Sequence, residues 1–257
     1  MGRVELRGVG YDPLTENEVV AHIVERLRSG RGGRVVTPNV DILRQVVASD
    51  DLRRLVASAD LVVADGMPIV WALRLRGSPV PERVAGSAIA PRLAREAPGA
   101  GVGVFLLGGA PGVAEAAAER LRQEIPGIKV GWHFPPVGFE NRPAQRAAID
   151  DALARFGPAV CFCGLGFPKQ DRLGSELLAR FPESWFVGAG ATIAFLAGDV
   201  SRAPHWMQRS GLEWLHRLAL EPRRLAGRYL RRDLPFAAAL LGTSLVARIR
   251  RAKLRWR

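Results

Sequence analysis

Three apolar runs in the second half of the chain each break into a glycine turn that opens a helix. This repeat constrains the fold more than any other feature. Val102 to Leu107 runs into Gly108-Gly109-Ala110-Pro111-Gly112, Ala159-Val160-Cys161-Phe162-Cys163 into Gly164-Leu165-Gly166, and Ser184 to Val187 into Gly188-Ala189-Gly190. Strand, turn and helix in recurring order imply βαβ crossovers and a mostly parallel sheet. The first half keeps the same rhythm. Asp12-Pro13-Leu14-Thr15 is a turn, and Thr15-Glu16-Asn17-Glu18 is a capping box for a helix through about Arg28. Arg34-Val35-Val36 reads as a strand with Thr37-Pro38-Asn39 at its carboxyl end, followed by helices to about Ala48 and from Asp51 to Ala57. The expected fold is α/β and Rossmann-like, a mostly parallel sheet with helices on both faces.

Within this rhythm, Leu61-Val62-Val63-Ala64-Asp65-Gly66-Met67-Pro68 stands out. β-Branched residues favour the strand, Gly66 permits a sharp turn, and Pro68 suits the first turn of the helix that follows. Asp65 therefore falls at the carboxyl end of a buried strand, where open α/β sheets place their ligands. The local pattern leaves two readings open: Asp65 caps the next helix, or it belongs to a ligand site. The glycine turns at Gly108-Gly109, Gly164-Gly166 and Gly190 allow close backbone approach to a phosphate or ribose, and together suggest a nucleotide site in that half of the sheet. None stands in a dinucleotide fingerprint, and no Walker sequence is present.

Charge divides the chain. Residues 202–257 hold 14 Lys and Arg against Glu213, Glu221 and Asp233, whereas the other 201 residues hold 23 basic and 22 acidic groups. A nearly neutral body, residues 1–200, thus precedes a basic appendage, residues 201–257, that calls for an anionic partner. In that appendage Met207, Gly211, Trp214, Leu215 and Leu218 fall at helical spacing as an expected buried stripe. Arg224, Arg228 and Arg231 share one face of a helix starting at Pro222. Leu234 to Ala247 is uncharged, too short to span a bilayer, and followed by Arg248, Arg250, Arg251, Lys253, Arg255, Trp256 and Arg257. That combination suits a helix lying in the headgroup region of an anionic membrane surface. Cys161 and Cys163 read as core thiols on one face of a strand, and the first residues carry no signal-peptide pattern.

Taken together, these stretches resemble the WecG/TagA/CpsF family of bacterial glycosyltransferases over nearly the whole chain. The resemblance rests on Asp12-Pro13-Leu14-Thr15, Thr37-Pro38-Asn39, Ala64-Asp65-Gly66-Met67, Arg83-Val84-Ala85-Gly86, Gly108-Gly109 and Gly164-Leu165-Gly166-Phe167-Pro168-Lys169-Gln170. It continues through Leu196-Ala197-Gly198, Ser201-Arg202-Ala203-Pro204, Gly211-Leu212-Glu213-Trp214-Leu215, Arg217-Leu218 and Glu221-Pro222-Arg223-Arg224. It implies transfer of a sugar, of N-acetylmannosamine type or a related hexose, from a UDP-sugar to an undecaprenyl-diphosphate-linked sugar. Inversion without a metal or cofactor is implied as well, and the chain contains no Asp-x-Asp. The implied location is the cytoplasmic face of the bacterial membrane, held peripherally.

By the same resemblance Asp65 matches the general base that takes the acceptor hydroxyl proton, and Thr37 and Asn39 line its pocket. Arg83, Arg217, Arg224 and Arg228 are candidates to meet charge on the departing UDP. Gln170 matches a position near the ribose, and Lys169 and Arg202 complete the substrate-binding set. Three departures bear on the donor: Ala88 and Ala194 stand where family members usually or often carry a carboxylate, and Asp171 where they carry Glu. If side chains read the donor, its identity changes; if the backbone does, little changes. Three competing readings are a catalytically silent relative that binds membrane and nucleotide, a nucleic-acid-binding protein using the basic tail, and an NAD(P) dehydrogenase, which would need a glycine fingerprint and acidic ribose partner that the chain lacks. The second has no RNA-module signature, and no nucleic-acid partner is expected.

Overall fold

The computed structural model describes residues 2–198, 203–204, 206–207 and 211–254. An antiparallel hairpin comes first, β1 (Val4–Leu6) and β2 (Val9–Tyr11). Its strands have three residues each, too short to announce themselves by alternation, and the sequence reading missed them. The chain then alternates: α1 (Glu16–Arg28), β3 (Gly33–Val36), α2 (Val40–Val47), α3 (Asp50–Ala57), β4 (Leu61–Val62), α4 (Met67–Leu75), α5 (Gly86–Glu96) and β5 (Gly103–Gly108). It continues through α6 (Val113–Glu124), β6 (Val130–His133), α7 (Pro143–Phe156), β7 (Ala159–Gly164), α8 (Lys169–Arg180), β8 (Trp185–Gly188) and α9 (Thr192–Ala197). Beyond lie α10 (Glu213–Leu220), α11 (Pro222–Arg228), a π-helical turn (Tyr229–Asp233) and α12 (Leu234–Leu254).

Strands β3 to β8 form one six-stranded sheet in the order β4-β3-β8-β7-β5-β6, every pair parallel. A parallel sheet must be covered on both faces, so its central strands are apolar throughout rather than alternating. All six residues of β5 are buried. Val104 and Leu106 face α1, α5 and α6, while Phe105 and Leu107 face α7 and α8. Val36 and Val62, at the other end of the sheet, pack under α2, α3 and α4. Each fully buried side chain of this kind contributes about 1.5–3 kcal/mol. The architecture is the Rossmann-like one the strand–helix rhythm implies. Cys161 and Cys163 lie on one face of β7, buried and free, with sulfurs 3.8 Å apart. The capping box at α1 is formed: Thr15 Oγ1 accepts from the Glu18 N–H, and the Glu18 carboxylate accepts from the Thr15 N–H at 2.7 Å.

Parallel strands put all their carboxyl ends on one edge. There the chain leaves β5 outward to β6 and leaves β7 inward to β8, so the two loops part company between those strands. Gly109 N–H bridges the gap by donating to the Gly164 carbonyl at 3.1 Å.

Two expectations for the C-terminal helices need correction. The stripe from Met207 to Leu218 is not a buried core: no residue of α10 is fully buried, Leu215 is exposed, and Gly211 turns with φ +78 ahead of the helix. The helix carrying Arg224, Arg228 and Arg231 is not regular throughout, because α11 ends at Arg228 and Arg231 lies within the π-helical turn.

Candidate active site

The residues after β3 and β4 are stitched together by their backbones. Val63 N–H donates to the Val36 carbonyl and Asp65 N–H to Pro38, both at 3.0 Å, and Val84 N–H donates to Ala64 at 2.9 Å. These three bonds bring Asn39, Asp65 and Arg83 to one place. Gly66 follows Asp65 with φ +131, a conformation that a side chain would strain.

Asp65 does not cap α4. The N-cap is Gly66, and α4 begins without a side-chain capping bond and without an acid in its first turn. α5 begins in the same way, at Ala85. Both helix N-termini therefore keep free N–H groups and positive partial charge near Asp65. Asn39, by contrast, does cap: its Oδ1 accepts from the Ile42 N–H at 3.0 Å.

Arg83 sits between two carboxylates. One Nη1 lies 2.7 Å from Glu213 Oε2 and 3.6 Å from Asp65 Oδ1, with all three side chains largely out of water. Burial pulls the Arg83 pKa down, but Asp65 and Glu213, with Glu16 behind them, outweigh it and leave it above the ordinary value. Asp65 belongs to the sheet edge and Glu213 to α10, so Arg83 ties the C-terminal helices to the body at the site itself.

These groups open onto a cavity of about 180 Å³ between the sheet edge and the C-terminal helices. Asn39, Asp41, Asp65, Gly66, Arg83 and Ser87 line it from the body; Glu213, Trp214, Arg217, Arg228, Tyr229 and Asp233 line it from the other side. Of the residues singled out by sequence, Asn39, Asp65, Arg83, Arg217 and Arg228 thus meet around one space. Thr37 lies one layer deeper, where a Cβ on Gly86 would come 3.5 Å from its Oγ1 and 3.0 Å from the Gly188 carbonyl. Arg224 lies in α11, and Arg202 lies outside the described residues.

The glycine loops form a neighbouring region of the same edge and do not line this cavity. Some of these glycines serve the protein's own packing. A Cβ on Gly108 would come 2.7 Å from the Leu165 side chain, and one on Gly164 would come 2.7 Å from Ile193. Gln170 is a clasp: its Oε1 accepts from Gly166 N–H at 3.2 Å and from Gly190 N–H at 3.4 Å. Its side chain also hydrogen-bonds Asp171, and only 6% of Gln170 is exposed. Burial pushes Asp171 up to about 6 against the pull of Arg34 beneath it, and the same burial lowers Arg34. Lys169 pairs with Glu140, out on the surface.

Sequence reasoning missed Glu213 and Asp233. The signal was available: they are two of only three acids in a strongly basic segment, and both touch arginines. Among the described residues no group of three His, Cys, Asp or Glu side chains comes together as a metal site requires.

Fold and cavity together describe a Rossmann-like α/β protein with a candidate site at the carboxyl edge of its sheet, roofed by basic helices. The chain belongs to the glycosyl transferase WecG/TagA/CpsF family, whose model matches residues 4–250, and it is a glycosyltransferase. It is 29% identical over 198 residues to the N-acetylglucosaminyldiphosphoundecaprenol N-acetyl-beta-D-mannosaminyltransferase of Bacillus spizizenii, spanning 77% of this chain and 75% of that relative.

Proposed function

We propose that this glycosyltransferase moves a sugar, of N-acetylmannosamine type or a related hexose, from a UDP-sugar to an undecaprenyl-diphosphate-linked sugar, with inversion and without a metal, in cell-envelope polysaccharide synthesis. The observation that carries the reading is the placement of Asp65. It stands at the end of a buried strand, one residue before the Gly66 cap of α4, on a cavity whose opposite wall presents Arg217 and Arg228. The relative's name supplies the acceptor class and the transferred sugar.

In this mechanism Asp65 takes the proton from the acceptor hydroxyl as that oxygen attacks the anomeric carbon. The bond to the UDP oxygen breaks on the opposite face, and the configuration inverts. Arg83 holds the Asp65 carboxylate in place, and Asn39 Nδ2 orients a sugar hydroxyl. Negative charge on the leaving diphosphate meets the guanidiniums of Arg217 and Arg228, joined by Arg224 and Arg202 from the same appendage. The bare N-termini of α4 and α5 add their partial charge. The glycine loops clasped by Gln170 hold the nucleoside end.

Residues 1–200 are the transferase domain, and residues 201–257 are an appendage that both completes the site and meets an anionic membrane surface. Leu245, Val246 and Ile249 are exposed on α12 beside the exposed Arg248 and Arg250, the mixture that settles in a headgroup layer. No helix among the described residues is long and apolar enough to cross a membrane. The enzyme works peripherally, on the cytoplasmic leaflet.

Turnover of a panel of UDP-sugars with a short lipid-diphosphate-sugar acceptor, scored by UDP release, tests the reading. Release with one donor, dependent on acceptor, is expected. Silence across the panel with UDP still binding would overturn it in favour of a catalytically silent relative whose donor site is altered at Ala88 and Ala194.

A further inference from the structure

The π-helical turn between α11 and α12 has a consequence at the cavity. Its widened turn is closed by Leu234 N–H donating to the Tyr229 carbonyl, five residues back. In a regular α-helix Arg228 and Asp233, five residues apart, would point about 140° apart around the axis. The wider turn brings them to one face, with Arg228 Nε 3.8 Å from Asp233 Oδ2. Across the gap to the body, Arg44 Nε of α2 lies 3.9 Å from Asp233 Oδ1. Asp233 is 8% exposed, and Asp233 Oδ1 and both arginine Nε atoms are buried without a hydrogen-bond partner in the structure. Asp233 is thus paired with both arginines at ion-pair distance and without hydrogen bonds, while Arg44 also donates to Asp41 on its own helix at 2.7 Å. Around Asp233 stand Asp41 and Arg44 from α2, Arg228 from α11 and Arg232 from the turn itself. Arg228 also stacks over the Tyr229 ring at 4.9 Å.

We propose that Asp233 is a positioning residue: delivered by the π-helical turn, it docks the C-terminal helices on α2 through Arg44 and fixes the direction in which Arg228 presents its guanidinium to the diphosphate of a bound substrate. The inference rests on the reaction proposed above for what Arg228 meets, and on geometry alone for the docking. A charged carboxylate is required in this role. Burial, reinforced by Asp41, pushes Asp233 up to about 6 against the opposing pull of Arg228, Arg44 and Arg232. Asp233 is therefore ionised, and able to orient the arginines by charge, above about pH 6. The linkage has a distinctive sign. The folded-state pKa lies above that of an unfolded Asp, so protonation through this window favours the folded state while it releases the arginines. Substrate binding weakens as pH falls through about 6, and this group adds no loss of thermal stability alongside.

The test compares wild type, Asp233→Asn and Arg44→Gln in the full-length protein, by steady-state kinetics from pH 5 to 8 and by hydrogen exchange of residues 222–234 corrected for intrinsic rates. Asp233→Asn should raise KM for the diphosphate substrate about tenfold with kcat within a fewfold of wild type. It should also abolish the rise of KM below about pH 6, where the wild-type carboxylate loses the charge that orients Arg228. Arg44→Gln should speed exchange in the same segment and be non-additive with Asp233→Asn. Unchanged KM, pH profile and exchange in Asp233→Asn would overturn the proposal. If wild type transfers no sugar from any donor, the reaction assigned above fails instead, and the exchange measurements alone still decide whether Asp233 docks the helices.

Discussion

The parallel-sheet body and the C-terminal helices are held by different forces. The body is a continuous apolar interior, from Val19 on α1 to Ile193 on α9, and its ionic groups nearly cancel. The C-terminal helices bury less: Leu225, Asp233, Ala237, Leu240 and Ser244 go under, with Leu240 packed into the cluster around α4, while Leu220, Leu230, Leu234 and Ile249 remain exposed. Their attachment at the site runs through charge, Glu213 to Arg83 and Asp233 to Arg44. Apolar burial is insensitive to the state of a few side chains, whereas ion pairs respond to pH, salt and substitution. The body can therefore keep its fold while the candidate site, a cavity lined by both regions, is lost.

The sharpest test of that division lies in the body. Asp65→Asn should cut turnover about 10²–10⁴-fold, the usual worth of a general base, while UDP binding and Tm stay close to wild type. Equal loss of turnover and UDP binding would make Asp65 structural. Next comes Glu213→Gln on α10. It removes a charge-assisted bond worth about 1.5–3 kcal/mol, so kcat/KM should fall about 10–100-fold with the body's unfolding midpoint intact. A full-strength Glu213→Gln enzyme would break the comparison.

Smaller effects separate body from appendage further. Gly188→Ala places a Cβ 2.5 Å from Gln170 Nε2 and should destabilise by about 1–3 kcal/mol. That is a Tm fall of about 2–4 °C per kcal/mol, accompanied by weakened nucleotide binding. Asp171, raised to about 6 by burial, should make Tm decline as pH rises from about 4 to 6, because the folded carboxyl holds its proton longer than the unfolded one. Asp171→Asn should flatten that decline, and calorimetry across the range reads it. Last, exposed Arg248→Gln and Arg250→Gln should leave Tm unmoved within about 0.5 kcal/mol. Each should weaken binding to anionic liposomes by about 1 kcal/mol. Unchanged liposome binding would leave the C-terminal helices a roof for the site and nothing more.

The body was legible because its signals are local. Strand runs ending in glycine, the Thr15–Glu18 box and the Asp65-Gly66-Met67-Pro68 turn each report their own conformation. The site was legible in part. Asp65 and Asn39 announce themselves by position after a strand, but whether Asp65 caps α4 depends on the dihedrals at Gly66, which residue types alone leave open. The contact between Arg83 and Glu213 spans 130 residues of chain, and no local pattern encodes such a pairing. The buried stripe assigned to residues 207–218 failed because helical spacing tells which residues share a face, not whether anything covers it. The π-helical turn is a single-residue change of register inside an otherwise helical run, invisible to periodicity.

The strand order carries a consequence for the order of assembly. β3, which leads into Thr37 and Asn39, pairs with β8 through Gly33 and Trp185, across roughly 150 residues of chain. Its other neighbour, β4, pairs over only two residue positions. A growing chain can form the β3–β4 unit early, yet one whole side of β3 stays without a partner until the last strand emerges. The edge from which Asp65 and Asn39 face the cavity is therefore among the last features to become rigid. A nascent or truncated chain lacking β8 holds these residues on a two-stranded β3–β4 unit, cut off from the rest of the sheet.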